Sequence, residues 1–363
     1  MSRTTALCLA ALLSCTAALA VPPTGGTQGL QALIAGKLVG VTAAPLALPV
    51  PGQANADTVT TLLASPLTAD AAVRIAILNN PDLQVQLGQI GLGLTDWQSA
   101  DNLAKQEAQQ DITALSAQVF KAWVNAVAAA HSVRTLGDAK ATAEATGELA
   151  RRMVQAGNMS KLNQAQHQAH LSDAAVAVAR AEQVAFTARE HLTVLLGLWG
   201  TQTQFELPTN LPELPADALD LPDVEARAIA ARYALTLATA DWQLQRTPPT
   251  TPRELWDIQA DAARVRALAV QVRSQARLAY FNYRSRLDVA RHLQTEVLPL
   301  RKFINDELTL RYNGMLTSVF DLLADSQTQT ETLEAAGLAT RDFWLAHADL
   351  QAVLAGVAPN AKE

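Results

Sequence analysis

The chain has 363 residues, of which 49% are hydrophobic, 17% charged and 5% aromatic, and its formal net charge is −6. A negative balance without a basic stripe argues against a nucleic-acid partner. Frequent alanine with few aromatic side chains favours an all-α fold whose helices pack closely through small residues.

The first twenty residues have the features of an export signal. Arg3 gives a positive start, an apolar stretch runs from Ala6 to Leu13, and Ala18-Leu19-Ala20 is a small-residue cleavage site. The apolar stretch is too short to span a bilayer as a helix. Residues 1–20 are therefore predicted to be a signal peptide, and the protein is expected to be exported.

Both cysteines, Cys8 and Cys15, lie inside this segment. Cleavage after Ala20 would leave a mature chain without thiol or disulfide chemistry. Alternatively, Leu12-Leu13-Ser14-Cys15 resembles a bacterial lipobox, in which Cys15 becomes the lipidated first residue, although Leu13 stands where a small residue is usual. A lipid there would change how the protein is held at a membrane. The sequence leaves both interpretations open.

The next residues, 21–66, are rich in Pro, Gly, Thr and Ala without a sustained period, and they are predicted to be an extended lead-in. A helical pattern begins near Thr68-Ala69-Asp70, where Thr68 or Asp70 can cap the apolar run that follows. Pro81 disfavours the α conformation at Asn80 and so interrupts the helix. The first helical repeat is predicted over residues 67–200.

The clearest local pattern in this repeat is a heptad seam along a helix from about residue 112 to 156. At ~1.5 Å per residue such a helix would be roughly 65 Å long. Gly157 suits the left-handed conformation that ends a helix, and Ser160 can cap a second helix that runs to about Leu198. The unit is predicted to be a long antiparallel helical hairpin. The seam consists of Ile112, Leu115, Val119, Ala122, Ala126, Ala129, Val133 and Leu136.

A second copy follows a proline-rich linker at residues 201–222, where the prolines exclude a helix. With an offset of 157 residues and no gap, Trp123 corresponds to Tyr280 and Gly157 to Gly314. This self-similarity predicts a duplicated architecture. The second helical repeat is predicted over residues 223–357: a helix from about 262 to 313, a turn at Gly314, a return from Thr317 to about Leu354. Residues 358–363 form a tail.

No pattern in the chain predicts an enzyme, because a nucleophile with a plausible base, a Gly-rich phosphate loop and a paired acid motif are all missing. No catalytic residue and no cofactor is expected. His167 and His170 could share a metal ion with Asp173, but a solvated helix face is favoured and no metal site is predicted. Acidic residues near the second turn could line a cation-selective pore, although ordinary exposed charge is favoured; they are Asp306, Glu307, Asp321 and Asp325. The residues predicted to pack in the core are Trp123, Tyr280, Phe281 and Tyr283.

Several stretches, in order and in both halves, resemble the TolC-like outer-membrane efflux protein family. In the first half they are Pro66 to Val73, Asn79 to Leu83, Met153 to Leu162, and Leu195 to Leu198. In the second half they are Arg311 to Met315, Ser318 to Phe320, and Asp342 to Ala346. The resemblance implies homo-trimers that form a long helical tunnel in the periplasm and work with a periplasmic adaptor and an inner-membrane pump.

The resemblance also implies that the hairpin tips face the adaptor. Carried onto this sequence, the tip residues are Gly157, Asn158, Met159, Ser160 and Lys161, and then Gly314, Met315, Leu316, Thr317 and Ser318.

The chain departs from the family where each half should carry two membrane-spanning strands. The first joint, Asp96 to Asp111, is polar, non-alternating and too short for two strands. The second joint contains Thr247-Pro248-Pro249-Thr250-Thr251-Pro252, and prolines exclude a barrel strand. We therefore expect an all-α chain of two tandem long antiparallel coiled-coil hairpins plus shorter helices, a TolC-like repeat without the barrel strands.

Two functions are compatible with this expectation. The first is a non-catalytic duct subunit of a tripartite export system, in the periplasm or at the periplasmic face of the outer membrane. The alternative is a barrel-less periplasmic coiled-coil scaffold or interaction protein that no longer forms a channel.

Overall fold

The computed structural model describes residues 27–41, 47–49, 55–90, 102–244 and 251–358. The predicted signal peptide with Cys15, residues 91–101 and 245–250, which include parts of the two joints, and most of the tail (359–363) lie outside the described residues. The part of the chain that is described is helical and contains no strand. Its helices are α1 (Thr27–Ile34), α2 (Ala56–Leu63), α3 (Ala69–Asn79), α4 (Pro81–Ile90), α5 (Asn102–Gln155), α6 (Lys161–Leu196), α7 (Val224–Ala231), α8 (Tyr233–Leu244), α9 (Pro252–His292), α10 (Leu298–Asn313) and α11 (Val319–Leu354).

Five of these helices form the body of the molecule, where α9 and α10 continue one another and the five make four rods that lie side by side. Helices α5 and α6 form one antiparallel hairpin, and α9 with α10 forms a second hairpin with α11. Helices α5 and α11 pack against each other in the centre, so α6 and α9–α10 are the two outer helices. The predicted fold class, two tandem long helical hairpins with shorter helices, is confirmed.

The seam of α5 is buried as the heptad pattern predicts: Ile112, Val119 and Ala126 are almost fully shielded from solvent. Helix α5 begins at Asn102, ten residues before the predicted start, so the described part of the first joint is helical. Helix α9 likewise begins early, at Pro252. Proline is favourable there because the first turn of a helix needs no backbone donor, and Thr251 forms a capping box with Glu254.

The prediction of an extended lead-in is wrong for α1 and α2. Both helices have eight residues, too few to show a period in the sequence and too few to be stable alone. Tertiary burial stabilises them: Leu30, Ile34 and Val59 are buried in the core of the first half. The backbone amide of Val39 also donates to the Ser116 hydroxyl of α5 at 3.3 Å.

Two hydrophobic clusters form the core, one in each half. In the first, the indole of Trp123 is buried and donates to the Leu67 carbonyl at 2.7 Å. In the second, buried Tyr283 packs against Phe343 with ring centroids 5.6 Å apart. The prediction that Phe281 packs in the core is wrong, because its side chain is 68% exposed.

In each half, a glycine in the left-handed conformation follows a long helix and lies against the end of a short helix. Gly197 follows α6 with φ 64° and lies against the carbonyl of Asn79, at the end of α3. Gly356 follows α11 with φ 90° and lies against the carbonyl of Ala231, at the end of α7. Any larger residue would both strain the backbone and overlap the facing oxygen.

One turn of π-helix, Leu293–Val297, separates α9 from α10. It ends two residues before Pro299, which lacks a backbone N–H and cannot sit in an ordinary helix interior without losing a hydrogen bond. A wider turn at this point accommodates the change. Among the described residues, no helix combines the length and hydropathy that a membrane-spanning helix requires.

Candidate functional site: the two hairpin tips

The first tip joins α5 to α6 through five residues, 156–160. Gly157 is left-handed with φ 77°, Asn158 N donates to Met153 O at 2.8 Å, and Gly157 N donates to Val154 O at 3.0 Å. This is a Schellman ending with glycine at the position that most favours it. Ser160 then caps α6 by accepting from Asn163 N, as predicted.

The second tip joins α10 to α11, also through five residues, 314–318. Its hydrogen bonds repeat the first tip: Leu316 N donates to Arg311 O and Met315 N to Tyr312 O, both at 2.9 Å. The left-handed residue is therefore Met315, with φ 58°, whereas Gly314 has φ −80°. In the sequence, Gly157 aligns with Gly314 without a gap. In the structure, the residue equivalent to Gly157 is Met315, one position further along the chain.

Met315 is an unusual residue for this position. A non-glycine side chain in the left-handed region costs roughly 1–2 kcal/mol. The side chain is 93% exposed, and that of the neighbouring Leu316 is 80% exposed. Neither side chain gains much burial within the chain, so the strain is not offset by packing in this structure. Strained, exposed residues of this kind are concentrated at functional sites.

The acidic residue at the second tip is held by its own turn. Asp321 accepts hydrogen bonds from Thr317 Oγ1 at 2.8 Å, Ser318 Oγ at 2.7 Å and Ser318 N at 3.0 Å. The side-chain and backbone hydrogen bonds from Ser318, and then the hydrogen bond from Thr317, lower the pKa of Asp321. In α5, two turns before the first tip, hydrogen bonds from Arg151 and Arg152 lower the pKa of Glu148 to about 2.

Both tips lie at the same end of the molecule. His167, in the second turn of α6, stacks on Phe320, in the first turn of α11, with ring centroids 4.8 Å apart. Of the predicted tip residues, Met159 and Thr317 are half-buried, and the other eight are exposed. Within the described ranges, no group of three His, Cys, Asp or Glu side chains is placed to hold a metal ion.

The outer helices carry a feature that the sequence analysis missed. Each presents exposed, mostly small or apolar residues to solvent at heptad-like spacings of three and four. The α6 edge consists of Leu162, Ala165, Ala169, Ser172, Val176, Ala179, Gln183 and Phe186. The α9 edge consists of Trp256, Ala260, Ala263, Ala267, Val270, Ser274, Leu278 and Phe281. These two edges could have been recognised in the sequence as heptad patterns of small and apolar residues on α6 and α9.

Comparison with known proteins gives a likeness in structure only. No protein-family model matches the chain, and no curated protein matches it. Among solved structures, CusC, a protein described for its folding and transmembrane channel formation, is similar with a TM-score of 0.56 at 12% identity over 88% of this chain and 100% of that chain. The CmeC outer membrane channel of Campylobacter jejuni gives a TM-score of 0.55 at 10% identity, covering 81% of this chain and 69% of the channel.

This is the helical fold of the TolC-like outer-membrane channels. A third relative in structure, the outer membrane protein VceC of Vibrio cholerae, has a TM-score of 0.51 at 14% identity and matches 80% of this chain and 76% of VceC. At such identities the likeness extends to the fold of the TolC-like channels, and with it to the two hairpins and the tips that end them.

Proposed function

We propose that the chain is a non-catalytic subunit of a periplasmic helical duct in a tripartite export system. The observation that carries the proposal is the fold: solved structures of outer membrane channels have the same helical arrangement over four fifths or more of this chain. The long hairpins supply the wall of the duct, and the paired tips supply its periplasmic end. Neither role needs chemistry from a catalytic side chain.

The proposal includes the organisation of the chain. Residues 1–20 are a removable export signal, with lipidation at Cys15 as the alternative. The two helical repeats are 67–200 and 223–357, joined by the linker 201–222 and arisen by duplication. The matching positions of Gly197 against Asn79 and of Gly356 against Ala231 support the duplication, because the same backbone closure recurs in both halves.

The duct is a homo-oligomer, and by family resemblance a trimer. The two edges support this part of the proposal, since exposed apolar stripes on a single chain mark surfaces that another chain covers. The α6 edge of one copy would pack on the α9 edge of the next, a head-to-tail contact that generates a ring when the rotation closes. Helices α5, α6, α9, α10 and α11 from each of three copies would form the wall.

The tips engage a periplasmic adaptor and an inner-membrane pump. Met315 supports this assignment, because a strained, exposed methionine occupies a position where glycine would relieve the strain. Methionine is well suited to contact with a partner, as its flexible, polarisable side chain adapts to irregular apolar surfaces. Leu316 and Leu162, 80% and 70% exposed, extend the apolar surface at this end.

Cysteine cross-linking tests the ring. The only native cysteines are Cys8 and Cys15, so a double Phe186→Cys, Val289→Cys variant of the exported chain, once processed, carries two thiols. Both positions are exposed and lie at similar distances from the tips, one on each outer helix. Oxidation should give a ladder that ends at three chains. Each single variant should stay monomeric, because the head-to-tail contact places its thiol against the other outer helix, which then carries none. A double variant that stays monomeric would refute the ring.

A second experiment tests the tips. A Met315→Cys variant carrying a photo-cross-linker should capture a coiled-coil adaptor in the intact host, whereas a Glu182→Cys control on α6 should not. The scaffold alternative is favoured by the helical residues 102–111 and 252–279, which occupy part of the two joints. It predicts an oligomer, no adaptor cross-link from the tips, and a protein recovered wholly in the soluble periplasm.

A further inference from the structure

A groove of about 580 Å³ lies between α6 and α11, with α5 as its floor. Leu136 and Ala143 of α5 form the floor, Ala174 of α6 forms one wall, and Leu338 of α11 forms the other. The volume lies within the range of roughly 300–1,000 Å³ that small-molecule sites occupy in proteins. The groove begins behind the tips and follows the hairpin towards the middle of the molecule.

The charge of the groove has one sign. Asp173 of α6 and Glu331 and Glu334 of α11 line it, and its described lining includes no lysine or arginine. His167 closes the tip end by stacking on Phe320. Burial and the nearby His170 lower the pKa of His167, so at neutral pH its ring does not offset the carboxylates.

Glu334 has a free oxygen inside this part of the molecule. Its Oε2 accepts a hydrogen bond from Ser132 Oγ at 2.9 Å. Its Oε1 is shielded from solvent and has no hydrogen-bond partner among the described residues. A shielded carboxylate oxygen without a partner is unfavourable, since it has lost water without gaining a donor.

We propose that this groove is a binding site for a monovalent organic cation with a large apolar body. The alanine and leucine walls would cover the apolar body, and Glu334, with Asp173 and Glu331 at the rim, would pair with the charge. The Phe320 ring at the closed end adds a surface that favours cations. The site goes beyond the proposed duct function and does not depend on it, because α5, α6 and α11 of a single chain form the whole groove.

Isothermal titration of the purified full chain with tetraphenylphosphonium tests the site. Tetraphenylborate, which has nearly the same shape and the opposite charge, is the matched control ligand. We expect saturable binding of the cation at one site per chain and no such binding of the anion. Equal binding of both ions would overturn the proposal, because it would mean that exposed apolar surface takes up either one.

Two variants locate the site. Glu334→Gln should weaken binding of tetraphenylphosphonium about tenfold or more, the usual scale for losing a charged partner, whereas Glu182→Gln on the exposed face of α6 should bind as the wild type. Ala324→Phe, which places a ring into the groove from an exposed position on α11, should also reduce the affinity. Unchanged affinity in the Glu334→Gln and Ala324→Phe variants, with thermal melts that show both folded, would refute the assignment.

Discussion

Gly197 and Gly356 occupy the same place in the two halves, but different side chains surround them. In the first half, Asn79 Nδ2 donates to the carbonyls of Leu196 at 3.0 Å and Gly197 at 2.7 Å, and Asn80 Nδ2 donates to Leu195 O at 2.9 Å. In the second half, Ala231 has no side-chain donor, and the buried Arg232 turns away to Gln275 Oε1 at 2.7 Å.

This difference distinguishes a backbone feature that both halves share from side-chain hydrogen bonds that occur in the first half. The left-handed glycine against a helix-ending carbonyl is present in both halves, so the backbone closure is common to them. The asparagine pair, which satisfies the last carbonyls of α6, occurs only in the first half. We infer that the closure depends on the backbone, and that side-chain donors stabilise it to different degrees.

The largest expected effect comes from the glycines themselves. Gly197→Ala and Gly356→Ala should each lower the free energy of unfolding by about 3 kcal/mol, because the methyl group adds overlap with a carbonyl to the cost of positive φ. Urea denaturation followed by circular dichroism measures this. Gly200→Ala is the control, since Gly200 has φ 62° but nothing within 4 Å of an added methyl group. Equal losses at 197, 356 and 200 would show that the close approach does not matter.

The next largest change in stability is expected from the residues that lie beside the two glycines, Asn80 in the first half and Arg232 in the second. Asn80→Ala should cost about 2 kcal/mol, because it leaves the carbonyl of Leu195 and the amide of Leu83 without their partners. Arg232→Met should be neutral or stabilising, because burial lowers the pKa of Arg232 and its Nε has no hydrogen-bond partner in the described chain. Denaturation midpoints compare the two variants. An Arg232→Met variant less stable than Asn80→Ala would reverse the comparison.

Substitutions at the tips should change stability less, and the two tips should respond in opposite directions. Met315→Gly should raise the stability of the second hairpin by about 1 kcal/mol, and Gly157→Met should lower that of the first by a similar amount. Hydrogen exchange of amides in α10 and α5 reports each hairpin separately. If Met315 serves a partner, Met315→Gly should also weaken adaptor capture while the hairpin becomes more stable. Destabilisation by Met315→Gly would mean that the side chain has a role within the fold.

The smallest effect is a response to acid in the second half. His347 is buried against Tyr283, Phe343 and Trp344, and its Nδ1 has no hydrogen-bond partner among the described residues. Burial lowers its pKa below the ordinary value of 6.5. The unfolded chain therefore takes up this proton first, and stability falls as the pH drops from about 6.5 through the folded pKa.

A His347→Phe variant should show less of this pH dependence in thermal melts. Some should remain, because the pKa of His167 is lowered as well. A variant whose melting temperature changes with pH as much as that of the wild type would exclude His347 as the origin.

Local signals in the sequence predicted the local structure well. Thr68 caps α3, Asn80 leaves the helical conformation before Pro81, and Ser160 caps α6, because each of these depends on a few neighbouring residues. The errors required tertiary information. Helices α1 and α2 form only because the core buries one face of each, and Phe281 lies on the outer side of α9 although its neighbour Tyr280 faces the linker.

The sequence predicted where the two turns lie, but not which residue of the second turn is left-handed. Both tips have five residues and lie together, at the places that the sequence indicated. The left-handed residue of the second tip could not be predicted, since glycine at 314 is the better local choice and Met315 takes the position only because of where α10 ends. The groove could not be predicted from the sequence either, because it depends on how α6 and α11 pack against α5.

The π-helix at Leu293–Val297 accounts for a difference of one residue in the length of the two hairpins. From Trp123 to Gly157 there are 34 residues, and from Tyr280 to Met315 there are 35. A π turn holds one residue more than an α turn over almost the same rise, so the extra residue in the second half leaves both tips level. The hydrogen bonds that place Met315 in the left-handed conformation are accepted by Tyr312 and Arg311, downstream of the π turn, so deleting one residue between 293 and 297 should straighten the helix and leave the same methionine at the turn.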